Sequence, residues 1–173
     1  MKNKHQKIGL GGSCHWCTEA IFESLNGINE VQQGWIASTN ENESLSEAIL
    51  IDFDENAISL KTLIEIHLNT HSCTSNHSMR EKYRSAVYCF NQEQLNKSEQ
   101  IIKNLQKDFN GQIITKVLFF HSFKLNIEVQ LNYYYKNPEK PFCKNIVDPK
   151  LKKLLNQFSA FVNTEKLNRL HKN

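Results

Sequence analysis

Residues 6–27, QKIGLGGSCHWCTEAIFESLNG, change from a strand pattern to a helix pattern across a pair of glycines. QKIGLGG (6–12) reads as a short strand that ends in glycines. From about residue 14 to 25 the positions Cys17, Ile21 and Leu25 recur every four residues, the spacing of one helix face, and Asn26-Gly27 closes the segment. A helix that starts directly after such a turn presents unpaired backbone N–H groups and the positive end of its dipole to the side chain at its mouth. That side chain is Cys14, and the same environment favours the thiolate, the nucleophilic form of cysteine.

Outward from this stretch, INEVQQGWIAS (28–38) and LSEAILIDFD (45–54) are strands joined by the polar turn TNENES, which makes a hairpin. Leu60, Leu63, Ile64, His67 and Leu68 place a helix over 59–69, HSCTSNHSMREK (71–82) is a loop, and YRSAVYCF (83–90) is a further strand opened by Tyr83. Leu95, Ile102, Leu105 and Phe109 mark a long helix that stops at Asn110-Gly111, before the strand IITKVLFF (113–120). Strand, helix, strand, strand, helix, strand is the split β-α-β order of an α+β, ferredoxin-like two-layer α/β sandwich, here with C-terminal extensions. NIEVQLNYYYKN suggests a short helix, and Leu151, Leu154, Leu155 and Phe158 a small amphipathic one after Asp148-Pro149. Residues 1–158 are expected to form a single catalytic domain and 159–173 a C-terminal tail, docked or frayed.

Composition narrows the class. With 39% hydrophobic and 23% charged residues the chain is an ordinary globular one. It shows neither the apolar run of a secretory signal nor one long enough to span a membrane, so a soluble cytoplasmic protein is expected, with no membrane partner. The formal charge of +3 is spread along the chain, which argues against a nucleic-acid surface. Five cysteines cannot all pair within one chain, and in a reducing compartment they are catalytic, metal-binding or buried.

Several side chains have the chemistry for a site. Glu47 shares the more apolar face of its strand with Leu45, Ile49, Ile51 and Phe53, so it is expected to point inward, where desolvation favours the neutral, proton-donating carboxyl. The alternative buries Ser46, Ala48, Leu50 and Asp52 and leaves Glu47 in water. Trp16 is either core or the wall of an apolar pocket; Tyr83 is either a structural strand residue or a phenol offered to a substrate oxygen. His67 reads as a satisfied core histidine, and Cys17, one turn below Cys14, as a core thiol. Cys143, in NPEKPFCKN, is expected in an exposed, mobile loop, where a cysteine in a reducing compartment implies a redox task. Cys14, Cys17, Cys73 and His77 have the types of a zinc site, and Cys14-x-x-Cys17 those of a thioredoxin-like couple; both remain alternatives.

Five stretches, GGSCHWCTEAIF, VQQGW, SEAILIDFD, EKYRSAVY and NYYYKNPEKPFC, resemble in content and order the peptide methionine-S-sulfoxide reductases of the A class, over about residues 7 to 143. The resemblance implies a thiol-dependent oxidoreductase that reduces methionine-S-sulfoxide, free or in proteins, with no bound cofactor or metal and with thioredoxin or another dithiol as reductant. It implies Cys14 as nucleophile, Glu47 as general acid, Tyr83 as a contact to the sulfoxide oxygen, Cys143 as resolving cysteine with Cys17 the alternative, and Trp16 in the methyl pocket. The chain departs from the family pattern at three places. His15 stands where the family has Phe, which makes the methyl pocket less apolar. The stretch from Trp35 to Glu47 is short and lacks a glycine pair and a second active-site tyrosine, and Ser78 stands where the family has Asp. These departures keep other readings open: a catalytically impaired or zinc-stabilised binding module on the same fold, or a general disulfide oxidoreductase.

Overall fold

The structure is a computed structural model that describes residues 4–170. Its elements run β1 (His5–Gly11), α1 (His15–Glu23), β2 (Ile28–Ala37), β3 (Ser46–Asp54), α2 (Leu60–Thr70), β4 (Ala86–Cys89), α3 (Gln92–Leu105), β5 (Lys116–Phe119), β6 (Ser122–Leu125), α4 (Tyr133–Lys136), α5 (Asp148–Phe158) and α6 (Thr164–Leu170). One sheet carries them in the order β5-β4-β1-β3-β2-β6, with β4 and β5 parallel and every other pair antiparallel. The middle four strands, β4-β1-β3-β2, are two interleaved split β-α-β units, the ferredoxin-like arrangement that the order of elements implied.

The core lies between one sheet face and the helices. Ile8 and Leu10 of β1, Ile49, Ile51 and Phe53 of β3, and Val87 of β4 meet Ile21 and Phe22 of α1, Leu63 and Ile64 of α2 and Leu154 of α5. The alternate residues Ala48, Leu50, Ala86 and Tyr88 pack with Ile36 in a smaller cluster on the other face, partly covered by Phe120 and Phe123. Central β3 is therefore apolar on both faces, so its two-residue alternation marks direction weakly. Ser59 caps α2 by accepting the Thr62 N–H at 3.1 Å, and Asn91 caps α3 by accepting that of Gln94 at 2.8 Å. Cys14, at the same position of α1, makes no side-chain cap.

Three expectations change. The strand opened by Tyr83 starts only at Ala86, and Tyr83 lies in the turn before it, because Arg84 and Ser85 are drawn into hydrogen bonds with Ser44, Ser46 and Thr115. A strand absent from the sequence reading, β6, pairs with β2 from Gly34 to Ala37. A Cβ on Gly34 would stand 2.1 Å from the Lys124 carbonyl oxygen, so the pairing depends on that residue's lack of a side chain. Cys143 is fully buried, not loop-exposed: the helix that continues into α5 begins at Pro141, and Cys143–Val147 is a π-helical turn within it. Proline there starts a helix and does not break one.

Beyond α5, the Asn26 N–H donates to Phe161 O at 2.8 Å, the Asn163 N–H donates to Ser24 O at 2.7 Å, and Leu25 bridges to Val162. Residues 171–173 of the expected tail lie outside the described residues. No helix among the described residues is long and apolar enough to cross a membrane.

Candidate active site

β1 delivers the chain to Gly11, and Gly12 turns it with φ +148, a left-handed conformation that a side chain would strain. A Cβ there would also meet the His71 ring at 2.6 Å. The turn is held from behind. His67 Nε2 bonds the Gly11 carbonyl at 2.8 Å, and His71 stacks on His67 at 4.2 Å. Arg80 donates to the carbonyls of Gly12, Tyr83 and Ser75 at 2.8, 2.9 and 2.8 Å and to that of Ser72. Four carbonyls from three segments thus converge on one guanidinium, which fixes the approach to Cys14.

The Cys14 carbonyl accepts the first helical N–H groups, from Cys17 at 3.1 Å and Thr18 at 3.2 Å, and its side chain stays partly exposed at the helix mouth. The nearby Trp16 backbone N–H favours a thiolate at Cys14. Cys17 alters the expectation, because the two thiols perturb each other's titration in opposite directions. The Cys17 side chain, followed by burial, pushes the Cys14 thiol well up; the Cys14 side chain pulls Cys17 down. Cys17 is thus buried, as read from the sequence, yet it is an electronic partner of Cys14.

Glu47 is 5% exposed and enters from β3, opposite Trp35 of β2. Its Oε2 accepts the His15 backbone N–H at 3.0 Å, so the carboxyl occupies the helix terminus that Cys14 leaves uncapped. His15 Nδ1 stands 3.6 Å from the same oxygen, and Lys82 Nζ 3.7 Å from Oε1. Lys82 also lies 5.1 Å over the Tyr83 ring and bridges Tyr83 to Glu47. Contact with Tyr83 raises the Lys82 pKa, whereas burial lowers that of His15.

Aromatic rings wall the other side. Trp16 stacks on Tyr133 at 3.9 Å with 6° between planes, Phe142 meets Trp16 edge-on at 5.4 Å, and His15 meets Trp35 edge-on at 5.3 Å. Phe142 thereby anchors the segment that carries Cys143. Burial raises the Cys143 thiol, and among the other cysteines it is the charge of Cys17 that reaches it and raises it further.

The structure therefore groups Cys14, His15, Trp16, Cys17 and Glu47, attaches Tyr83 through Lys82, and buries Cys143 in the same core cluster as Cys17. Ser78 is exposed in a shallow depression with Leu45, Met79, Glu81 and Lys82, and it makes no hydrogen bond to the Glu47 carboxyl, which it adjoins only through Lys82. Among the described residues no group of three or more His, Cys, Asp or Glu side chains is placed to hold a metal ion, so Cys14, Cys17, Cys73 and His77 are not assembled into one. Lys82, Arg80 and Asn126, which bonds His15, were not singled out from the sequence. Lys82 and Arg80 sit within the quoted REKYRS region, but a lone cation carries no signal of its partner; Asn126 depends on the missed β6.

The family model described as Peptide methionine sulfoxide reductase matches residues 6–161. A peptide methionine sulfoxide reductase MsrA from Trichodesmium erythraeum (strain IMS101) is 32% identical over 167 residues, covering 87% of this chain and 94% of the relative. Among solved structures, reduced Mxr1 from Saccharomyces cerevisiae superposes with a TM-score of 0.73 at 20% identity, over 81% of this chain and 90% of that one. Mxr1 solved in complex with Trx2 gives 0.61 at 20% identity, over 75% and 85%.

Proposed function

The chain belongs to the peptide methionine sulfoxide reductase family, whose members reduce methionine sulfoxide, and from that premise we propose that Cys14 is the nucleophile and Glu47 the acid. The observation that carries the assignment is the single helix N-terminus shared by both: the Cys14 thiol at its mouth and the Glu47 carboxyl on its first N–H.

In the proposed sequence the Cys14 proton passes to Cys17, and the Cys14 thiolate attacks the sulfoxide sulfur while Glu47 protonates the sulfoxide oxygen. A neutral hydroxyl leaves sulfur far more readily than an oxide. Attack joins the Cys14 sulfur to the substrate sulfur. The departing oxygen, as hydroxide or water, then bonds the Cys14 sulfur and breaks that link, which leaves a sulfenic acid on Cys14 and releases methionine, two electrons having moved from the Cys14 sulfur to the substrate sulfur. One thiol and one sulfoxide become one sulfenic acid and one thioether, and the thiol proton restores Glu47. Lys82 and Tyr83, beside Oε1, offer donors to the oxygen as it departs, and the Trp16 wall takes the methyl group.

A second thiol then condenses with the sulfenic acid, releases water and forms a disulfide. The place of Cys17 on the first helical turn after Cys14 supports Cys17 as the first to condense, with transfer by exchange to Cys143, which lies in the same core cluster. The reductant of the resulting disulfide is thioredoxin or a similar dithiol, in keeping with the yeast structural relative solved with Trx2. Five unpaired cysteines suit a reducing compartment, and we place the protein in the cytoplasm.

Turnover of a methionine-S-sulfoxide peptide, driven first by dithiothreitol and then by thioredoxin, tests the scheme. Cys14→Ser is expected to abolish both, and Glu47→Gln to lower kcat by at least ~100-fold, the scale of general-acid catalysis. Cys143→Ser is expected to keep dithiothreitol turnover and lose thioredoxin recycling. Turnover by Cys14→Ser would overturn the assignment.

A further inference from the structure

A buried chain of polar side chains leads away from Glu47, and each link has only one orientation. Asn126 accepts the Ile127 N–H on Oδ1 at 2.9 Å, so its amide nitrogen is the end that faces the site. That nitrogen lies 2.7 Å from Gln33 Oε1 and 3.1 Å from His15 Nε2. Gln33 is fixed independently: its Nε2 donates to the Gln130 carbonyl at 3.0 Å, an acceptor only, and to Glu19 Oε1 at 3.0 Å, which leaves its Oε1 to accept from Asn126. An N–H is therefore aimed at His15 Nε2. In the neutral imidazole that nitrogen must be bare, and the ring proton sits on Nδ1.

His15 is 4% exposed, and its burial holds the ring neutral. The Nδ1–H donates to the Gly34 carbonyl at 3.3 Å and stands 3.6 Å from Glu47 Oε2, which accepts the His15 backbone N–H. Oε2 thus holds one hydrogen bond from His15 and faces the positive end of its Nδ1–H as a second, electrostatic contact. An oxygen so occupied is a poor seat for a proton, and Oε1, on the Lys82 and Tyr83 side, is the free one.

We infer that His15, held in its Nδ1–H tautomer by Asn126 and Gln33, is a positioning residue that keeps Oε2 of Glu47 as an acceptor and leaves Oε1 to carry the proton given to the sulfoxide. The inference rests on the assignment of Glu47 as the acid. It gives the departure at position 15 a polar purpose, where a packing account sees only a ring in a phenylalanine-sized space against Trp35.

The two accounts order three variants in opposite ways. Asn carries an N–H near the place of Nδ1, Gln near the place of Nε2, and Phe keeps the ring without either. Positioning predicts that His15→Asn stays within about threefold of the parent kcat, while His15→Phe and His15→Gln each lose up to about tenfold, the scale of one polar contact, with KM nearly unchanged. Packing predicts that His15→Phe retains activity and His15→Asn loses most. The tautomer is measured directly on the unmodified protein by 15N NMR of labelled histidine: an Nδ1–H signal for His15, converted towards Nε2–H in Asn126→Ala, is expected. An Nε2–H imidazole in the parent, or a fully active His15→Phe, would overturn the inference. Glu47→Gln run in parallel separates the failures, because turnover that survives Glu47→Gln removes the acid assignment itself.

Discussion

Acid should destabilise this protein through the histidine pair behind the Gly11-Gly12 turn, and a single substitution isolates the share of His67. That ring is buried, its Nε2 is committed to the Gly11 carbonyl at 2.8 Å, and its Nδ1 has no partner among the described residues. Burial, opposed only by the Gly11 bond and reinforced by the charges of Arg80 and Lys150, brings its pKa down from 6.5 to about 4. Below pH 6.5 the unfolded chain takes up a proton that the folded chain refuses until near pH 4, so stability is intact above 6.5 and falls as the pH drops through that window. Between pH 7 and 4.5 the loss from His67 alone is about 2 to 3 kcal/mol. For a chain of this size that corresponds to a Tm lower by about 5 to 10 °C. His71, stacked on it and held well below 6.5 chiefly by burial, adds in the same direction. Urea unfolding at the two pH values, for the parent and for His67→Gln, isolates the effect: glutamine keeps a donor for Gly11 but cannot titrate, and carboxylate effects cancel in the difference. The parent should lose about 2 to 3 kcal/mol more than the variant on acidification. Parallel losses would refute the reasoning.

Gly34→Ala should push β6 from β2, because the new Cβ meets the Lys124 carbonyl oxygen at 2.1 Å. The expected result is a stability loss of about 1–3 kcal/mol in urea unfolding together with a fall in kcat, as Asn126 moves off His15. We expect deletion of residues 159–173 to cost about 3–5 kcal/mol by the same measurement, since Val162 and Leu167 are buried and Asn26 and Ser24 lose backbone partners. A deletion that unfolds like the parent would show those contacts to be idle. Elemental analysis of the purified protein should find zinc near zero per chain; about one per chain would revive the cysteine–histidine metal reading.

The fold was legible because its deciding signals are local. Cys17, Ile21 and Leu25 at four-residue spacing, the glycines at 11 and 12, and the apolar run of β3 need no tertiary information, and they are enough to order the ferredoxin-like core. What escaped depends on contacts made across the fold. β6 exists because Gly34 admits it, although Ser122, Lys124 and Leu125 stay exposed and show no buried alternation. Cys143 read as a loop residue because prolines flank it, whereas Pro141 opens a helix that Phe142 pins against Trp16. At the site, strand period put Glu47 on the face of Ile49 and Ile51, but both faces of β3 are buried, so the alternation alone did not decide its burial. The coupling of Cys14 to Cys17 did not follow. Spacing placed Cys17 one turn below and apolar neighbours suggested an inert thiol, yet how strongly two such thiols perturb each other depends on rotamers, which no pattern of residue types encodes.

The stack of Trp16 on Tyr133, with Phe142 at its edge, also makes the molecule self-reporting. The chain has two tryptophans, and both Trp16 and Trp35 border the catalytic residues, so nearly all its ultraviolet emission originates within the active centre. Phe142 is the residue next to Cys143, so under the proposed role of Cys143 a disulfide that draws on it is expected to shift the ring resting on Trp16. Stopped-flow emission would then time the proposed oxidation and rereduction without an added dye.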